Sequence, residues 1–305
     1  MILKAKLGIA PIAWSNDDLP QLGGDTPLST CLAESREAGF SGVETGGKFP
    51  LSSAELRPQL AEYDLQLVSG WYSGTLLDND LESEIAKVTP QLQLFKDCGA
   101  ACLVYGETAG TIQNRQDVPL SQRRRLTESE IQRYGEKLTA FSDYCAEFGV
   151  PLAFHHHMGT AIEDERDIDL LMAHTGPSVG LLFDTGHLVF AGADPFSILK
   201  KHANRINHVH TKDVRAEVLA ALDWQRDSFL DAVLKGVYTV PGDGCINFDK
   251  VVSELAKTGY QGWFVVEAEQ DPALAPPLEY ARIGYASLIK ALAQANYVLT
   301  EGEDE

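Results

Sequence analysis

The chain has 305 residues, with 25 Lys and Arg against 44 Asp and Glu, and a formal net charge of −19 at pH 7. A hydrophobic share of 44% with 23% charged residues can bury a full core and excludes disorder as the main state. No stretch approaches the ~20 apolar residues of a membrane span, and the acidic excess opposes wide contact with nucleic-acid phosphates, which bind through Lys and Arg.

The opening "MILKAKLGIAPIAW" lacks the long apolar segment and small-residue cleavage site of a secretory leader. The five cysteines, Cys31, Cys98, Cys102, Cys145 and Cys245, are odd in number and scattered, so neither a disulfide framework nor a paired zinc motif is expected. The cytoplasm is the expected compartment. The basic run Arg123, Arg124, Arg125 reads as a solvated loop.

Short runs rich in Val, Ile and Leu predict strands at "LGIA" near Leu7, "GVE" near Val43, "LQLVSGW" near Leu67 and "CLVY" near Leu103. Four more follow at "LAFH" near Ala153, "VGLLFD" near Leu181, "INHVH" near Val209 and "WFVVE" near Val265. Helical spacing follows each. Ser52 with Glu55 and Thr127 with Glu130 have capping-box spacing, and Asp194 before Pro195 marks another helix start. After Thr127, the positions Ile131, Tyr134, Leu138, Phe141, Cys145 and Phe148 step by three and four, which predicts one buried helix face.

About eight βα units in one chain favour a parallel sheet closed into a single (β/α)8 barrel over an open doubly wound sheet. The open sheet would carry a glycine-rich phosphate loop after its first strand, where this chain has "APIAWSNDDLP". The barrel is expected over residues 1–296, with 297–305 an acidic, frayed tail.

In such a barrel the active site lies at the carboxyl ends of the strands. Strand five runs into His155, His156 and His157, strand six into Asp184 and His187, strand seven into His208, His210, Lys212 and Asp213, and strand eight into Glu267 and Glu269. Alternation puts His155 and His157 on one face, His208 and His210 on one face, and His156 opposite. Mixed His and carboxylate groups without cysteine suit Mn²⁺, Zn²⁺, Co²⁺ or Fe²⁺. A metal-free site would instead pair carboxylates drawn from Glu44, Glu107 and Glu267, leaving the histidines unexplained. Trp14 and Trp71 lie near strand ends and are candidates to stack on a sugar-like ring, with core packing the alternative. Glu107 falls with Asp117 in a segment after strand four that either covers the site or is a plain loop, and "PGDG" at 241–244 is a turn.

Taken together, "GIAPIAWSNDD", "HHHMGT", "DTGH", "HVHTKDVR", "SFLDAVLKGVYTVPGDG" and "VEAEQDP" resemble one family, the inosose dehydratases of myo-inositol catabolism, a branch of the xylose-isomerase-like barrels. The similarity runs from Gly8 to about Ala291. It implies a hydro-lyase that removes water from 2-keto-myo-inositol (scyllo-inosose) to give a trihydroxycyclohexanedione, with Mn²⁺ or Co²⁺ as the usual metal and glutathione associated with the family. Carried over by motif, the metal ligands are His155, Asp184 of "DTGH", His210 of "HTKD" and Glu267 of "GWFVVE". His155 departs from the superfamily, which has glutamate there, so a site of Asp184, His210 and Glu267 alone is the alternative.

Elimination needs a polarised carbonyl, a base for the α-proton and an acid for the departing hydroxyl. His157 and His187 are the candidates for base and acid, with Lys212 and Asp213 either holding hydroxyls, moving protons or forming a rim ion pair. Glu44, Glu107, Trp14 and Trp71 are the substrate-binding candidates. The expected partner is a small cyclic polyol ketone, with no nucleic acid or membrane, and a homo-oligomer stays open. The rival activities are a metal-dependent sugar or inosose isomerase or epimerase, a DNA repair endonuclease opposed by the charge, and a non-catalytic sugar-binding barrel.

Overall fold

The structure, a computed structural model, describes residues 2–300. Eleven strands occur among them: β1 Leu3–Ile9, β2 Gly42–Thr45, β3 Gln66–Gly74, β4 Leu103–Glu107, β5 Leu152–His155, β6 Gly180–Asp184, β7 Ile206–His210, β8 Asp213–Val214, β9 Tyr238–Thr239, β10 Gly262–Val266 and β11 Tyr297–Leu299. Strands β1 to β7 and β10 form a parallel sheet, and β10 pairs back onto β1 from Ala5↔Gly262 to Ile9↔Val266, which closes the barrel. The eight barrel strands are the eight apolar runs read from sequence. They are buried along most of their length, as β4 and β6 show at every position, because helices cover the outside and side chains fill the inside.

The covering helices are legible in their caps. Thr127 Oγ1 accepts from Glu130 N (3.3 Å) while Glu130 Oε2 accepts from Thr127 N (2.8 Å), a complete capping box at the head of Glu128–Phe148. Along that helix Ile131, Tyr134, Leu138, Phe141 and Cys145 are buried. Asp194 caps Pro195–His202 through Phe196 N. Ser52 behaves differently: its hydroxyl donates to Glu55 Oε2 (2.7 Å) and makes no bond to the helix backbone, so the expected box is only a side-chain pair.

Two departures from the simple repeat matter. Residues 211–247, between β7 and the helix Phe248–Thr258, hold the β8–β9 hairpin and two short helices, Ala216–Ala221 and Phe229–Leu234. Their apolar side chains, among them Val214, Phe229 and Tyr238, pack with Leu19, Leu120, Met158 and Phe190 into a second hydrophobic cluster, separate from the main core. That cluster ties together segments that follow β1, β4, β5, β6 and β7. The second departure is β11: Tyr297–Leu299 runs parallel to β1, and Thr300 N donates to Ala5 O (3.0 Å). The ordered sheet thus passes the boundary expected at 296, because the open edge at Leu3–Ala5 offers backbone partners. The acidic stretch 301–305 lies outside the described residues. No helix among those described is long and apolar enough to cross a membrane.

Candidate active site and metal centre

The parallel strands all point their carboxyl ends at one mouth, and there β5 ends on His155, β6 on Asp184 and β7 on His210, with Glu267 directly after β10. One ligand atom from each of these four buried residues lies within 4.8 Å of all the others. His155 Nε2 and His210 Nδ1 are each 3.6 Å from Asp184 Oδ2, and His210 Nδ1 lies against Glu267 Oε2. Asp184 Oδ2 and His210 Nδ1 are buried without a hydrogen-bond partner. Buried polar atoms are normally paired, so two orphans facing one point amid nitrogen and oxygen donors fit a borderline divalent cation.

The second polar atom of each side chain is engaged by the protein, which decides the atom left facing inward. His210 Nε2 bonds Glu44 Oε1 (3.0 Å), and the same oxygen takes His208 Nε2 (2.9 Å) and the Ser69 hydroxyl. His155 Nδ1 donates to the His156 carbonyl (2.5 Å). Asp184 Oδ1 caps the helix Thr185–Phe190 by accepting from His187 N (2.8 Å), and Glu267 Oε1 accepts from Lys212 Nζ (3.0 Å). Orientation of this kind by outer partners is a regular part of metal centres.

Above the cluster opens a cavity of about 800 Å³, whose wall includes His155, His157, His210, Glu267, Glu269 and Trp71. Trp71 stands edge-on to His155 and His157, with centroids 5.7 and 5.6 Å away, and presents a flat apolar face among polar groups. Its ring lies over Gly106 of the next strand so closely that a Cβ there would come within 2.0 Å of it. His157 donates Nδ1–H to the Met158 carbonyl (2.8 Å), leaving Nε2 as the basic nitrogen; burial, aided by the Lys212 charge, lowers its pKa to about 4. Glu269 is pushed up to about 7 by burial, with Lys212 pulling down and the Glu267 charge pushing up.

The other expected site residues separate from this group. Trp14 is a core residue whose Nε1 donates to Glu34 Oε2 (2.6 Å), and it is absent from the cavity wall. Glu107 also misses the wall: it ends β4 and accepts from Tyr105 OH (2.9 Å) and Ala109 N (3.0 Å). Glu44 reaches the wall, but its carboxylate is taken up by His208, His210 and Ser69. His187 lies behind His157, ring centroids 4.0 Å apart, with Lys212 at its Nε2. Lys212 is fully buried behind Glu267 and Glu269. Asp213 accepts from the backbone N–H groups of Val214, Gly242, Gly244 and Ile246, so it pins the "PGDG" turn rather than facing a substrate. His156 turns away from its neighbours, and neither of its ring nitrogens has a partner.

Glu269, legible in sequence as a strand-end carboxylate but given no role there, stands on the wall two positions from Glu267. Asp18 and Gln113, from the segments after β1 and β4, complete the polar wall without any motif to mark them. The run at 123–125 is also corrected. Arg123 is buried and pairs with Glu163 (2.9 Å), Asp164 (2.7 Å) and Asp167 (2.9 Å), because those carboxylates need a counter-charge.

The family profile described as Xylose isomerase-like TIM barrel matches residues 32–297. The chain is 49% identical over 302 residues to the rhizopine catabolism protein MocC of Rhizobium meliloti, covering 99% of this chain and 93% of that protein. It is 46% identical over 278 residues to inosose dehydratase 1 of Bacillus cereus, covering 90% and 93%. A solved structure of IolI protein with a zinc atom matches with a TM-score of 0.65 at 17% identity, covering 95% of this chain and 98% of that one, a likeness of fold. With this coverage, the chain belongs to the xylose isomerase-like TIM barrel family, on the branch that includes the inosose dehydratases.

Proposed function

We propose that the protein is an inosose dehydratase, a hydro-lyase that converts 2-keto-myo-inositol to a trihydroxycyclohexanedione. The observation that carries this reading is the convergence of His155, Asp184, His210 and Glu267, two of their buried atoms unpartnered, beneath a cavity roomy enough for a cyclic polyol. The 46% identity to an inosose dehydratase supports the substrate class. His155, Asp184, His210 and Glu267 would hold one divalent ion, Mn²⁺ or Co²⁺ in our reading. When bound, such an ion supplies Lewis acidity toward a carbonyl oxygen.

The remaining chemistry belongs to the chain. Trp71 offers its face to the ring and keeps water from one side of it. His157 Nε2 takes the α-proton as the C–H electron pair moves toward the ketone oxygen. Glu269, held on the same wall and protonated near neutrality, delivers its proton as the β-carbon–oxygen bond breaks, and water leaves. An isomerase or epimerase would share the first step, but expels no hydroxyl.

Incubation with scyllo-inosose should yield a product with dione absorbance, and chelation should abolish it. Full turnover by metal-free protein would remove the metal from the reading. Substituting Glu269→Gln should lower dehydration by about 10²–10⁴-fold while deuterium still exchanges at the α-carbon, whereas His157→Ala should lose both. Normal exchange in His157→Ala would overturn its assignment as base.

A further inference from the structure

A second group of ligand-type side chains adjoins the first: one atom each from His157, His187 and Glu269 lie within 4.8 Å of one another, all buried. Its Glu269 and His187 atoms are already bound to a cation, the Lys212 ammonium. Nζ donates to Glu269 Oε1 (2.9 Å) and Glu267 Oε1 (3.0 Å), with His187 Nε2 2.9 Å away. On its other side His187 Nδ1 accepts from Met158 N (3.2 Å) and meets Tyr238 OH at 2.9 Å. Glu267 is shared, with Oε1 on the ammonium and Oε2 turned to His210 and the proposed metal position.

The seat is shaped for this side chain. Gly186 of "DTGH" lies against the lysine stem, where a Cβ would come within 2.5 Å of Lys212 Cγ, and the Tyr238 ring sits 4.5 Å from Nζ. The charges also match. Asp184, Glu267 and, once it has delivered its proton, Glu269 carry three negative charges, and one divalent ion with one ammonium supplies three positive ones. An ammonium here neutralises carboxylates that would otherwise recruit a second metal.

We propose that Lys212 occupies a second cation position, built from His187, Glu269 and Glu267 with His157 beside it, and so restricts the centre to one metal. This rests on the reading of His155, Asp184, His210 and Glu267 as the metal site. The test is Mn²⁺ stoichiometry, by calorimetry and elemental analysis, on metal-stripped wild type, Lys212→Ala and the double variant Lys212→Ala/His187→Ala. One Mn²⁺ per chain is expected for wild type, two for Lys212→Ala with an exchange-coupled spin-resonance spectrum, and one again for the double variant.

A Lys212→Ala protein that binds a single Mn²⁺ overturns the inference, as does one that stays unfolded in millimolar Mn²⁺, since a second ion should restore the charge balance. Two Mn²⁺ in wild type overturns it while leaving the metal reading intact. No Mn²⁺ in wild type removes the metal reading itself, and the inference with it.

Discussion

A side chain with two polar atoms can serve an ion only when the protein settles which atom faces it. Glu44 does this for His210: with Nε2–H committed to Glu44 Oε1, the Nδ1 lone pair is left for the centre. The sequence suggested Glu44 as a hydroxyl binder, because a glutamate at a strand end looks the same in either role. Removing this partner by Glu44→Ala should weaken Mn²⁺ affinity by about 10–100-fold, with Glu44→Gln, which can still accept the bond, losing less. Titration against a competing chelator measures it, and equal affinity in the alanine variant would show that His210 needs no such support.

Among the elements, the segment between β4 and the helix Glu128–Phe148 is fastened by charge. Arg123 brings it onto Glu163, Asp164 and Asp167 at the head of the helix Glu165–Ala173. Truncation to Arg123→Ala leaves Glu163 buried without its counter-charge and Asp167 with Arg166 alone, which should cost about 3–5 kcal/mol. Urea unfolding of the variant checks this, and a loss below 1 kcal/mol would mean that Arg125 and Arg166 take over the pairing. Three consecutive arginines resemble a solvated run because the carboxylates that bury one of them lie some forty residues further on. Gly106 is a similar case: it looks like an unremarkable strand glycine until Trp71, on the adjacent strand, is seen to fill the space of its missing side chain.

For the molecule as a whole, buried carboxyls away from the centre make stability depend on pH. Burial pushes Glu107 and Glu163 up to about 7, the latter despite an Arg123 that it shares with two aspartates. A carboxyl that holds its proton more tightly when folded contributes stability in full below its unfolded pKa near 4.5. The contribution falls as pH rises from there and is gone above about 7, up to roughly 3 kcal/mol for a shift of this size. Glu107→Gln, neutral throughout, should therefore lose less stability than wild type between pH 4.5 and 8 in denaturant melts; parallel slopes would show that Glu107 does not titrate in this window. Strand positions, barrel closure and the meeting of His155, Asp184, His210 and Glu267 at one mouth were legible along the chain, since apolar runs and the carboxyl-end rule need only local order. Which carboxylates face the cavity and which brace the frame was not. The hydrogen bonds that separate Glu44 from Glu269, Lys212 from a solvent-facing lysine, and Asp213 from a wall residue join positions distant in sequence, and barrel closure alone brings them within reach.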